Sequence, residues 1–310
     1  MSIVVVGSIA FDDLETPTGK RERVLGGAAT HFAAASSFFV EGVKMVGVVG
    51  HDFAMNDLDF LKERDVDVSQ VQINKDGRTF HWKGRYGNDL NEAQTLDTQL
   101  NVFATFCPEL TEDFQKLPYL FLANIDPVLQ RNVLQQMDKP KWIACDTMNF
   151  WIEGKRDELL KTIEAVDILL INETEARLLS RERNLVKAAA IIQDMGPSVV
   201  VIKRGEYGAL LFSCQESVQE TFSAPALPLS SVIDPTGAGD SFAGGFLGYL
   251  ARVGTLDSKS LRQAMICGSV MASFNVEAFG CERMQQLNWA DIANRYRQFQ
   301  QLIHFEIPNF

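Results

Sequence analysis

The stretch DPTGAGDSFAGGF, Asp234 to Phe246, sets two aspartates six residues apart around Gly-Ala-Gly and runs directly into a helical pattern of small and aromatic residues. A helix N-terminus leaves backbone N–H groups unpaired and carries the positive end of the helix dipole, so it attracts anions, phosphates above all. Gly237, Ala238 and Gly239 are small enough to bring that backbone close to a ligand. Asp240, in the first turn, can accept a proton from a hydroxyl held beside the same pocket. An anion pocket with a neighbouring base reads as phosphoryl transfer to an alcohol, a reaction made of positioning, charge stabilisation and orientation of the nucleophile. The competing reading is a tight glycine turn whose aspartate merely charges the start of a helix.

Upstream of this stretch, short β-branched runs alternate with helical patterns. The runs lie at 2–7, 44–50, 119–124, 142–147, 167–172 and 198–204, and they are apolar throughout, as strands buried on both faces of a parallel sheet are. Helix patterns lie between them, at 27–40, 53–64, 127–137, 157–166 and 185–195, and three more follow Asp240, at 241–253, 258–279 and 289–303. This alternation predicts a doubly wound α/β domain, with ligands beyond the carboxyl ends of the strands. Residues 8–13, Asn124, 146–149 and 172–175 then share one rim. Two segments break the rhythm, about 9–25 and 73–97, where polar residues alternate with apolar or aromatic ones around Gly turns. They read as exposed antiparallel strands that pair into a small β lid over the rim; two unrelated surface hairpins is the alternative. Phe80, Trp82 and Tyr86 are the lid's aromatics, placed there for packing or for ligand stacking.

The chain has 310 residues, 46% of them apolar, enough for the core of one large domain, and carries a formal net charge of −11 with no long basic run. That balance argues against a nucleic-acid partner and leaves small metabolites. Five scattered cysteines without metal spacing fit a reducing compartment. No apolar run reaches the ~20 residues of a membrane helix, and MSIVVVGS turns polar too early for a signal peptide, so cytoplasm is the expected location. Gly239–Ala243, GDSFA, approximates the Gly-x-Ser-x-Gly elbow of hydrolases with Ser241 as nucleophile, but Pro235 spoils the strand that should lead into it. A non-catalytic sensor of a sugar or nucleoside is the other rival; sensing needs no base at Asp240.

DPTGAGDSFAGGF resembles the C-terminal signature of the ribokinase-like (phosphofructokinase B-type) carbohydrate kinases. Further positions match in order along nearly the whole chain. VVVGSIAFDD resembles the first strand that ends in a substrate-binding aspartate, here Asp12, and GGAATHFAAASSF resembles the Gly-Gly pair that opens a sugar-contacting helix, here Gly26 and Gly27. His31 stands where the family often has Asn. INETEA carries the Asn-x-x-Glu motif, so the resemblance implies that Asn172 and Glu175 organise magnesium and phosphate through water, although the same string is a helix capping box. KRGEYG, Lys203 to Gly208, resembles a nucleotide-side Thr-x-Gly-x-x-Gly turn, with Lys203 in place of Thr and Gly205 and Gly208 as its glycines. The resemblance implies a ribokinase-like core of 1–310 with a β lid, ATP and Mg2+ as cofactors, and a monovalent cation, K+, as a further candidate. It implies transfer of the γ-phosphoryl group to a small sugar, or on the same scaffold to a nucleoside. Asp240 would be the base and the Gly237–Gly239 amides the anion hole. Asp12, Gly26, Gly27, His31 and Asn149 would hold substrate, while Lys203, Gly205, Gly208 and Thr236 would hold nucleotide; Asn149 could equally cap a helix. Some members pair through their lids, so the resemblance admits a homodimer through the lid and leaves the oligomeric state open.

Overall fold

The apolar runs are the strands of a sheet buried on both faces. The computed structural model describes residues 1–215 and 218–306. Its strands in chain order are β1 (Ile3–Val6), β2 (Ala10–Thr16), β3 (Gly19–Gly26), β4 (Val43–Gly50), β5 (Asp67–Asn74), β6 (Phe80–Tyr86) and β7 (Ala93–Gln99). They continue with β8 (Tyr119–Leu122), β9 (Trp142–Asp146), β10 (Ile168–Asn172), β11 (Val199–Lys203), β12 (Ala209–Gln215) and β13 (Val218–Ala224). Among the described residues, nine of these form one sheet in the order β13-β12-β11-β10-β9-β8-β1-β4-β5, parallel except for β12 and β13. Alternation along β1 shows why it is apolar at every position: Ile3 and Val5 belong to the core on one face, Val4 and Val6 to the core on the other. Helices Ala28–Ser36, Ala238–Val253 and Ser258–Asn275 cover the first face, where Phe32 stacks on Phe121 with ring centroids 4.5 Å apart. The helices that follow β8, β9 and β10, and the one that leads into β11, cover the second.

The chain leaves β1 toward β4 and β5 on one side and later builds β8 to β11 on the other, so the order of the strands reverses beside β1. Such a reversal opens a crevice at the carboxyl ends. A separate four-stranded sheet, β3-β2-β6-β7, stands over that end as the lid. Two expectations change in detail. The second lid segment begins at β6 rather than at residue 73, because β5, which reaches Asn74, pairs with β4 and belongs to the main sheet. The lid is also not wholly antiparallel: β2 and β6, brought together from distant parts of the chain, run parallel, with Asp12 opposite Trp82. β12 and β13 form an antiparallel edge that periodicity at 198–204 did not announce. Several helices end earlier than their patterns, as at Leu134 rather than 137, because the last periodic residues fold into turns that still contact the core.

Candidate active site

Gly237 starts the site. It adopts φ +74°, a left-handed conformation that favours glycine, and it precedes the Ala238–Val253 helix. A Cβ there would also lie 2.4 Å from the ring of His31, so the turn rests flat on that imidazole. The first amide to bond back along the helix is that of Ser241, which donates to the Gly237 carbonyl at 2.8 Å. Of the three amides expected to cradle an anion, Ala238's donates to the Pro235 carbonyl at 3.2 Å, which leaves Gly237 and Gly239 as the better placed pair. Asp234, fully buried, pins the loop before the turn. Its carboxylate accepts from the Thr236 amide at 2.9 Å and the Gly280 amide at 3.0 Å.

Asp240 occupies the first turn of the helix, where its carboxyl is partly buried. Burial first, then the charge of Asp146, pushes its pKa up to about 7, against the pull of the Lys203 ammonium. A carboxyl tuned to neutrality can take and release a proton at working pH. Lys203, at the end of β11, donates to Asp146 Oδ2 at 2.8 Å and reaches the Gly239 backbone. Asp146 ends β9, two strands away, so the pair exists only because β9, β10 and β11 end together. Glu175 is also buried there; burial and Asp146 raise its pKa to about 8. With Asn172 it forms a full capping box: the Glu175 amide donates to Asn172 Oδ1 at 2.8 Å, and the Asn172 amide donates to Glu175 Oε2 at 2.7 Å. The structural reading of Asn-x-x-Glu is therefore realised, in a place where Glu175 also feels the charges of Asp146, Lys203 and Asp240.

On the substrate side, Asp12 is 5% exposed and packs against Gly26, where even a Cβ would meet its carboxylate at 2.0 Å. Burial, with the charges of Asp234 and Asp240, holds its carboxyl well above the usual range. Asp13 is engaged elsewhere, accepting from the Arg23 amide at 2.9 Å and pairing with His81 at 3.1 Å. Gly27, at φ +96°, lets the helix start pass within van der Waals reach of the Ser8 carbonyl and the Ala10 amide. Asn149 is the first residue of a short helix rather than its cap, and its Oδ1 is buried without a partner among the described residues.

His31 departs from the expected substrate contact. It is 1% exposed beneath Gly237, and its Nδ1 lies 3.0 Å from Asn275 Oδ1. Burial lowers its pKa to about 4, so the ring is neutral. Asn275 also accepts from Ser241 Oγ at 2.9 Å and donates to the Thr236 carbonyl at 2.7 Å. This buried knot fixes the anion turn from below. It also removes Ser241 as a nucleophile, since its hydroxyl is fully buried. Sequence reasoning missed Asn275: nothing distinguishes one asparagine inside an apolar helix pattern until the fold sets it under the turn.

The lid reaches across the crevice. Tyr86 accepts a hydrogen bond from Thr236 Oγ1 at 3.2 Å, so the even positions of β6 face inward, Trp82 among them. The Trp82 indole lies flat over Gly84 and donates to Thr95 Oγ1 at 3.3 Å. Phe80 instead stacks on Phe103, a packing role. Beyond the lid strands, Asn91 covers Gly205, whose φ is +54°, and Gly208, at φ +83°, passes under the Ala224 carbonyl. The turn expected to hold nucleotide therefore stands beside the lid.

A crevice of this kind, with a carboxyl and a glycine turn at a helix start beneath a separate sheet, is the arrangement expected of an α/β phosphotransferase that acts on a hydroxyl group. The comparisons agree: residues 2–287 match the model of the pfkB family of carbohydrate kinases, and the chain belongs to that family. It is 31% identical over 257 residues to a cytidine kinase of Thermococcus kodakarensis, covering 81% of this chain and 89% of that one. The crystal structure of the nucleoside kinase of Methanocaldococcus jannaschii, 21% identical, superposes with a TM-score of 0.75 over 96% of this chain and 98% of that one. An aminoimidazole riboside kinase of Salmonella enterica, solved with its riboside and an ATP analogue, gives 0.71 at 19% identity over 96% and 100%. The protein is thus a sugar or nucleoside kinase of the ribokinase type. No helix among the described residues is long and apolar enough to cross a membrane.

Proposed function

We propose that the acceptor is a nucleoside and that Asp240 deprotonates its ribose hydroxyl for attack on the γ-phosphorus of ATP. The observation that carries the chemistry is Asp240, tuned to about 7, in the first turn behind a left-handed glycine and beside the Lys203 ammonium. Buried Asp12 would accept from ribose hydroxyls, which supply the hydrogen bonds that favour its ionised form. The flat indole of Trp82, opposite Asp12, offers a base the stacking surface a free sugar does not need. Similarity to the cytidine kinase moves the preference from a sugar, the first expectation, to a nucleoside. Gly26 and Gly27 would admit the ribose closely, while Gly205, Gly208 and Thr236 border the nucleotide.

Among the described residues no group of three or more His, Cys, Asp or Glu side chains could hold a metal. A Mg2+ would be carried chiefly by phosphates and water, with Asn172 and Glu175 beside its outer shell. Mg2+ would neutralise charge on the phosphates; K+ is a further candidate, checked by titration with KCl. A homodimer through the lid belongs to the same reading, since β7 is exposed at every residue, and sedimentation velocity measures it. The function is tested by ADP release with cytidine, adenosine, inosine, ribose and fructose. A nucleoside should exceed both sugars at least about tenfold in kcat/KM, the worth of one stacked contact of about 1.4 kcal/mol. A better turnover of ribose or fructose refutes the nucleoside assignment.

A further inference from the structure

Lys203 ends β11 with its ammonium in the middle of the site. Nζ lies 2.8 Å from Asp146 Oδ2, with 16% and 5% of the two side chains exposed, and a Cβ on Gly239 would lie 3.1 Å from it. The carboxyls of Glu175 and Asp240 are also close enough to act on its charge. One cation therefore stands among three carboxyls at the lip of the anion turn. A nearly buried ammonium loses several kcal/mol of hydration, and a counter-charge needed only by Asp146 could sit anywhere around that carboxylate. This one is turned toward the backbone of the turn.

We propose that Lys203 is a catalytic residue whose ammonium, held by Asp146 against Gly239, contacts the transferring phosphoryl group. In the transfer, the acceptor oxygen bonds to the γ-phosphorus while the bond from that phosphorus to the β–γ bridging oxygen breaks. ADP departs with the electron pair, and the hydroxyl proton passes to Asp240. Negative charge grows on the oxygens between donor and acceptor, where an ammonium already in place needs no reorganisation to meet it. Three N–H donors allow Lys203 to keep its bond to Asp146 and still serve a phosphoryl oxygen. Lys203 thereby belongs to the transfer centre rather than to the Gly205–Gly208 turn that follows it in the chain.

The test compares Lys203→Met, Lys203→Arg and the double variant Lys203→Met/Asp146→Asn. Lys203→Met should lower kcat by about 10²–10³-fold with little change in acceptor KM, the loss typical of one electrostatic donor. Lys203→Arg should recover part of it. In calorimetry without acceptor, Lys203→Met should weaken binding of a β,γ-methylene ATP analogue at least tenfold more than binding of ADP, because only the analogue places a γ-phosphoryl group beside Lys203. Since Lys203→Met leaves Asp146 buried without its partner, the double variant separates folding from chemistry. Its melting temperature should return toward the wild type while kcat stays low. Recovery of kcat together with the melting temperature, or an unchanged preference between analogue and ADP, would show a structural counter-charge and overturn the proposal. The calorimetric arm needs no acceptor, so it stays readable if the nucleoside assignment fails.

Discussion

Asp240 is the residue on which the proposed activity turns. Burial and the charge of Asp146 bring its carboxyl to about 7, and a base acts only when ionised. kcat/KM should therefore rise with pH through about 7 and level off above it, and Asp240→Asn should remove about 10²–10⁴ of the rate with ADP binding retained. A pH-independent kcat/KM between 6 and 8, or near-normal turnover of the asparagine variant, would remove Asp240 from this role. The position of Asp240 is legible in the sequence because glycine turn, carboxylate and helix adjoin in the chain. Its tuning is not, because Asp146 and Lys203 come from two other strand ends. His31 shows the limit more sharply. As a departure from the family's asparagine it looked like a substrate contact, and the fold turns it under Gly237 to hold Asn275 instead.

At the scale of elements, the lid binds the two ends of the crevice together. Tyr86 meets the anion turn, and Asn91 covers the nucleotide-side glycine. Closure of this sheet would exclude water, which otherwise competes for the phosphoryl group. Tyr86→Phe removes one hydrogen bond of the closed form, a loss of about 0.5–1.5 kcal/mol. The expected outcome is a severalfold higher acceptor KM and a larger share of ADP released without phosphorylated product. An unchanged KM and tight coupling would mean that the Tyr86–Thr236 contact does not help to hold the lid. Polar and aromatic alternation marked both lid segments, since a one-layer sheet has a wet face and a covered one. Their parallel pairing was illegible, because register between strands some seventy residues apart depends on where the crossovers return the chain.

Across the whole molecule, the carboxyls of the proposed site work against stability. Asp240 and Glu175 have pKa values of about 7 and about 8, raised chiefly by burial, and Asp12 is raised as well. The folded chain holds these protons more tightly than the unfolded chain. Their contribution to stability is complete below about 4, the unfolded carboxyl range, and is lost as pH rises through about 7 to 8. The ligand-free protein should accordingly melt at a higher temperature at pH 5.5 than at pH 8, and the Asp240→Asn variant should show a smaller difference. An opposite slope in scanning calorimetry would contradict the burial of these carboxyls. The sequence by itself determined the parallel core, the approximate lid segments and the Gly237–Asp240 turn, because each is written in residues adjacent in the chain: apolar runs, alternation, and a glycine turn beside a carboxylate. Only the tertiary structure decided that Lys203 joins Asp146, that Asn275 and His31 brace the turn, and that Tyr86 reaches Thr236. Such contacts follow from where strand ends and crossovers meet, and no local pattern encodes a distance between them.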